Sequence, residues 1–195
     1  EPMFKLANIP WVAALQEGMV GIMPIVIIGS LFLVLSVLAL PWVAIGSGPA
    51  APLLPFLTPY AGKFLVFFGL TMNFLGLYAA ITIAMSYAKK LDINEKPAAI
   101  LGLVTFLLIT TNATSLSGEV ADAAGNMIPF SIGGIPVSSF SASGLFTAIL
   151  VGLLSVRLYK LVVDSGVVIR MPDGVPPMIA DSFTALIPYT VVFVV

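Results

Sequence analysis

The chain has 195 residues, 59% of them hydrophobic and only 9% charged, with a formal net charge of −1. A water-soluble domain carries about 25% charged residues, so this composition excludes an ordinary soluble fold and indicates a membrane protein with spanning helices. The charge balance leaves no basic footprint for nucleic acid. The chain has neither cysteine nor histidine, which removes thiolate chemistry and the commonest general base and metal ligand, so no metal site and no cofactor are expected.

The N-terminus opens Glu1-Pro2-Met3, without the basic region and small-residue cleavage site of a signal peptide. Residues 1–18 read as an interfacial segment. Leu6, Ile9, Val12 and Leu15 recur at helical spacing against polar Lys5, Asn8 and Gln16, and Trp11 suits headgroup level. A disordered lead-in is the alternative.

The first span is expected over 19–40, uncharged and long enough for a hydrocarbon layer of about 30 Å, with a tolerated proline at Pro24. Gly18, Gly21 and the Gly29-Ser30 pair form small faces that suit either packing within the chain or a dimer contact. The Pro- and Gly-rich stretch 41–63 leads to a second span over 64–87. There Asn73 suits an interhelical hydrogen bond, or a place on a substrate path.

Residues 89–96 form the most charged loop. Asn94 is expected to cap a third span over 97–116, with Pro97 in its first turn. Its polar end contains an Asn112-Ala113-Thr114 sequon, to which no weight is given. Ser117 to Pro136 reads as a loop with room for a short hairpin. Glu119 and Asp122 within it form no motif. A fourth span is expected over 137–156, and Ser165-Gly166 is expected to end its helix.

Residues 157–182 then form a connector on the cytosolic side. Pro172, Pro176 and Pro177 bar a helix through this elbow, and Gly174 suits a turn. Asp181 or Ser182 is expected to cap a last helix starting near Phe183. The run 183–195 would extend roughly 20 Å as a helix, short of a full span, so the chain is expected to be a fragment of a longer protein.

Orientation follows from the basic residues. Lys5, Lys89, Lys90, Lys96, Arg157, Lys160 and Arg170 fall on one side, and Lys63 alone on the other. The positive-inside rule places the seven in the cytoplasm. The expected fold is therefore an all-α, polytopic transmembrane protein: four complete spans plus the start of a fifth, N-terminus inside.

The stretch RMPDGVPPMIADSFTALIP, Arg170 to Pro188, resembles the cytosolic loop and following helix of the lactose/cellobiose/chitobiose-type enzyme IIC. That enzyme is the membrane component of the bacterial sugar phosphotransferase system. Ser141 to Val163, with its Gly-Leu-Phe-x-Ala-Ile order, is similar to a further helix of the family. Met23-Pro24 through Gly29-Ser30 is similar to its first membrane helix. The resemblance covers essentially the whole chain, mapped onto the N-terminal part of the family.

The resemblance implies a multi-pass permease of the bacterial inner membrane that carries a disaccharide such as cellobiose, chitobiose or lactose. Cytosolic enzyme IIB, carrying phosphate on histidine or cysteine, would phosphorylate the sugar. It also implies a homodimer built by N-terminal helices, and an essential histidine and glutamate in later segments. No catalytic residue carries over to this chain, which alone is expected to be inactive, and no sugar-binding residue is assigned. Arg170, Asp173 and Gly174 are the candidate surface facing enzyme IIB, a purely structural turn being the alternative. An ion-coupled secondary transporter is a competing reading, but such proteins place ionisable groups at midplane and the five apolar runs hold none. A non-transporting membrane assembly domain is the third.

Overall fold

A computed structural model describes residues 9–40, 54–111, 114–121, 127–134, 137–169, 172 and 176–195. Helix α1 runs Pro10–Ala39. Pro10 occupies its first turn, where a missing N–H costs nothing and the fixed φ favours the helix. Thirty residues give about 45 Å, more than a hydrocarbon layer needs. From Pro10 onward, the segment expected to lie at the interface is thus the first turns of one continuous helix, with Trp11 about half exposed. Beyond its end, the Leu54 amide donates to the Leu38 carbonyl and the Thr58 hydroxyl to the Ala39 carbonyl. Those bonds satisfy carbonyls that every helix terminus leaves open.

A 3₁₀ turn, Pro55–Tyr60, leads into α2 (Ala61–Met72) and α3 (Leu75–Lys90). One span was expected here, and the structure interrupts it at Asn73-Phe74. Neither residue is proline or glycine. The break is supported by a side chain, since the Tyr78 hydroxyl donates to the Leu70 carbonyl at 3.2 Å. Asn73 is exposed at the break.

α3 is the hub. Ala79, Ala80, Ile83, Ala84 and Ala88 are fully buried in it, and helices α1, α4 (Glu95–Thr110) and α5 (Leu145–Asp164) all pack on it. Small residues let backbones approach closely, which matters in lipid, where association rests on van der Waals contact. A Cβ added at Gly102 of α4 would meet the Ala84 Cβ at 2.5 Å and the Ala80 carbonyl oxygen at 3.0 Å. On α1, a Cβ at Gly18 would lie 2.7 Å from the Ile83 Cα, and one at Gly29 would collide with Thr71 of α2. The small faces at Gly18 and Gly29 are therefore filled from within the chain.

α4 starts as expected: the Asn94 side chain accepts from the Lys96 amide at 3.2 Å, with Pro97 in the first turn. It ends at Thr110, earlier than the expected 116. Thr110 and Thr111 turn their hydroxyls onto the carbonyls of Phe106 and Leu107, and strand β1 begins at Thr114. β1 (Thr114–Ala121) pairs antiparallel with β2 (Met127–Gly134), Thr114 opposite Gly134 and Ala121 opposite Met127. The all-α expectation needs this correction: a mostly helical chain carries one hairpin.

The fourth helix was expected from residue 137, but α5 starts at Leu145. Two short 3₁₀ turns, Val137–Phe140 and Ala142–Gly144, precede it. The local sequence is serine-rich, and the hydroxyls of Ser141 and Ser143 both donate to the Ser138 carbonyl, at 2.7 and 2.8 Å. Such local bonds compete with a helical backbone. Phe140 from this turn packs against Phe74 and Phe106, with ring centroids 6.1 Å apart in each case. α5 closes as expected at Ser165-Gly166, Gly166 taking φ +76°.

The last helix, α6 (Pro177–Val194), begins earlier than expected. Pro176 is extended and Pro177 opens the helix, so Asp181 and Ser182 fall inside it rather than at its N-cap. Proline at the first helical position supplies the start signal in place of a side-chain cap. Three helical stretches are long and apolar enough to cross a membrane: Pro10–Ala39, Pro55–Lys90 through its break, and Ala142–Asp164. α4 has 16 residues, and Ser182–Val194 is a shorter apolar helix.

Candidate functional site

Most of the described charged residues gather at one end of the bundle. There Glu17 of α1 pairs with Lys90 at the end of α3, and Lys160 pairs with Asp164 one turn on. Lys63 stands at the other end, its ammonium 5.6 Å from the Tyr60 ring centroid. Glu119 is exposed on β1, and Asp122 lies outside the described residues.

Arg170, Asp173 and Gly174, the residues singled out in the elbow, lie outside the described residues. What flanks them is defined. The Thr184 hydroxyl of α6 shares its proton between the Ala180 carbonyl at 2.8 Å and the Ile169 carbonyl at 3.2 Å. This ties the residue just before the elbow to the second turn of the helix after it. The amides of Ile179 and Ala180 both donate to the Pro176 carbonyl, which closes the first turn of α6.

α6 is seated against α4 and α5 by Leu101, Tyr159, Ala185 and Val192, all buried. The Tyr189 hydroxyl donates to the Pro97 carbonyl at 2.6 Å. Its ring lies 5.9 Å from that of Tyr159. Neither this bond, spanning 92 residues, nor the Glu17–Lys90 pair, spanning 73, was visible in the sequence. Both partners in each case look like ordinary residues of their own segments.

Between α4 and α6 lies a cavity of about 520 Å³ whose lining includes Asn94, Lys96, Ile100, Ser182 and Leu186. A neighbouring cavity of about 250 Å³ includes Asp92, Tyr159 and Thr184. A third, of about 460 Å³, lies among α4, α5 and α6 and is lined chiefly by aliphatic residues with Thr105 and Ser155. Among the described residues no group of three or more carboxylate, thiol or imidazole side chains could hold a metal ion. This arrangement has the means to bind and to hold helices together.

The fold is a helical bundle with three stretches long and apolar enough to cross a membrane. The family profile described as phosphotransferase system, EIIC, matches residues 16–195, and the chain belongs to that family. It is 33% identical to the cellobiose-specific EIIC component of Geobacillus stearothermophilus, over 98% of this chain and 40% of that protein. The lichenan permease IIC component of Bacillus subtilis (strain 168) is likewise 33% identical, over 98% of this chain and 40% of its own length. Among solved structures, the transporter ChbC, the IIC component of the N,N′-diacetylchitobiose-specific phosphotransferase system, superposes with a TM-score of 0.77 at 28% identity. That match covers 98% of this chain and 43% of ChbC. The chain thus spans about two fifths of the length of these relatives.

Proposed function

We propose that this chain is part of a multi-pass sugar permease of the bacterial inner membrane, which couples uptake of a disaccharide to its phosphorylation. One observation carries the reading: the family match runs unbroken through residues 16–195. The cargo class, a β-linked disaccharide such as cellobiose or chitobiose, or lactose, follows the names of the relatives. Cytosolic enzyme IIB is the proposed phosphate donor, in keeping with relatives named as EIICB components. The sugar-phosphorylating chemistry is assigned to residues outside this chain, which lacks histidine.

Arg170, Asp173 and Gly174 are the proposed surface toward enzyme IIB. They follow Ile169, which the Thr184 hydroxyl holds to α6, and they belong to the basic face of the chain. A homodimer through α1 is proposed as well. With Gly18 and Gly29 occupied internally, its contact surface becomes the outward stripe of Val20, Ile27, Leu31 and Val34, each more than half exposed.

Vesicles containing a permease that includes this chain test the reading. Labelled cellobiose, chitobiose or lactose should accumulate as sugar phosphate only with phosphoenolpyruvate and the cytosolic phosphotransferase components inside. Accumulation of free sugar driven by an ion gradient would overturn it.

A further inference from the structure

α1 serves two sets of neighbours along its length. Its first half is sunk in the hub: Ala14, Gly18 and Ile22 are buried, and Ile22 shares a core cluster with Ala80, Ile83 and Phe106. Its second half meets α2. A Cβ at Gly29 would collide with Thr71, and the ring of Phe32 stacks on that of Phe67 with centroids 4.8 Å apart. The Ser36 hydroxyl donates to the Ala61 carbonyl at 3.3 Å. With the Thr58 bond to the Ala39 carbonyl, these contacts knit the second half of α1, the 3₁₀ turn and α2 into one hairpin. That hairpin sits lightly on the rest: α2 packs chiefly on α1, and of its own residues Ala61 alone is buried. Segments with few buried contacts are the ones that move at low cost.

Both strands of the hairpin are weakened where it joins the hub. On α1 the fault is Pro24, which has no N–H to offer the Val20 carbonyl. On the other strand it is the Asn73-Phe74 break. The two faults fall between the same pair of contacts: a Cβ at Gly21 would meet Thr82 at 3.5 Å, and Gly29 meets Thr71. Across the break, the bond from the Tyr78 hydroxyl to the Leu70 carbonyl tethers the hub to the hairpin. α1 is about 45 Å long, and a helix longer than a hydrocarbon layer of about 30 Å has to tilt or bend. Sharp bends form at prolines and at interruptions of the hydrogen-bond ladder. We propose that the hairpin is a rigid arm hinged at Pro24 and Asn73-Phe74, that its angle to the hub follows bilayer thickness, and that Tyr78 limits its swing. A rotation of about 20° would carry the far end of α2, about 18 Å from the break, through roughly 6 Å.

The hinge needs no sugar and does not depend on the transport reading. The chain has no cysteine, so spin labels can be placed in pairs at exposed positions. Phe56 with Leu154 reports the arm against the hub, Val34 with Val66 the arm itself, and Ile100 with Leu154 the hub itself. Distances are read by pulsed electron resonance in nanodiscs of short-chain and of long-chain phosphatidylcholine. The Phe56–Leu154 distance should shift by roughly 6 Å between the two lipids, while the other two distances hold. Pro24→Ala, which restores the missing N–H, should cut that shift about two-fold, since one of the two faults is gone. Tyr78→Phe, which keeps the ring and removes the tether, should broaden the Phe56–Leu154 distribution in both lipids. A Phe56–Leu154 distance that ignores lipid length, a Val34–Val66 distance that moves with it, or an unaltered shift in Pro24→Ala would overturn the proposal. So would an unaltered spread in Tyr78→Phe. If a variant loses helix content, the unmutated chain in the two lipids decides alone.

Discussion

Gly18 of α1 lies flat against the backbone of Ile83 in α3, so close that a Cβ at position 18 would sit 2.7 Å from the Ile83 Cα. The Ile83 Cγ1, Cα and N all lie within 3 Å of that position, so the contact leaves no room for a side chain at residue 18. Gly18→Leu should therefore destabilise the bundle by about 1–3 kcal/mol, the usual cost of overpacking. Gly62, in α2, has open space where a Cβ would go. Gly62→Ala should leave stability unchanged or raise it by no more than about 1 kcal/mol. Thermal unfolding of both variants in one detergent checks the contrast, and equal Tm values would contradict it.

Tyr189→Phe removes the hydroxyl that donates to the Pro97 carbonyl. An interhelical hydrogen bond in a membrane protein contributes about 0.6 kcal/mol on average, so the Tm should fall by only a few degrees. The more telling readout is local. Hydrogen exchange should quicken in α6 and leave α3 unchanged.

The Glu17–Lys90 pair joins α1 to α3, with 47% and 32% of the two side chains exposed. Water and salt screen such a pair. A double-mutant cycle with Glu17→Gln and Lys90→Gln should give a coupling of about 0.2–1 kcal/mol, smaller at high salt. Coupling above this range would mean the pair is shielded from solvent by something seated over it.

The seven-to-one division of basic residues predicts that position 173 faces the cytoplasm and position 50 the outside. The chain contains no cysteine, so single cysteines can be introduced at Ala50 and Asp173 without a cleared background. An impermeant maleimide applied to intact cells should label position 50 only. Labelling of 173 alone would invert the orientation.

Arg170→Ala, in a permease that includes this chain, should slow sugar phosphorylation at limiting enzyme IIB while leaving folding intact. Unchanged kinetics would remove the docking role. The 195-residue chain by itself should produce no sugar phosphate, and measured turnover would overturn the assignment of that chemistry to other segments.

The sequence was most legible where backbone chemistry is local. Asn94 before Pro97 marked the start of α4, and Ser165-Gly166 marked the end of α5. The family, too, was readable from ordered motifs. Legibility failed where tertiary contacts or side-chain bonds decided. The Asn73-Phe74 break lies within an apolar run and has no proline or glycine of its own. The serine hydroxyls before Leu145 displace a helix start that hydropathy alone places earlier. At α6 the capping candidates Asp181 and Ser182 point to a start near Phe183, whereas the proline at position 177, which bars a helix from running through it, is itself the residue that opens one. Small residues on α1 signalled a close contact without naming its partner, and that partner is the same chain.

The alanines of α3 have a consequence for how this bundle tolerates change. The Ala80 carbonyl would lie 3.0 Å from a Cβ at Gly102 and 3.5 Å from one at Gly152, so α4 and α5 rest on the same spot from two sides. An enlargement there cannot be absorbed by a single neighbour. It would wedge two helices outward together and loosen the slots between them. Mutational sensitivity should accordingly concentrate on one inner rail, whereas the lipid-facing exterior should drift freely among aliphatic residues.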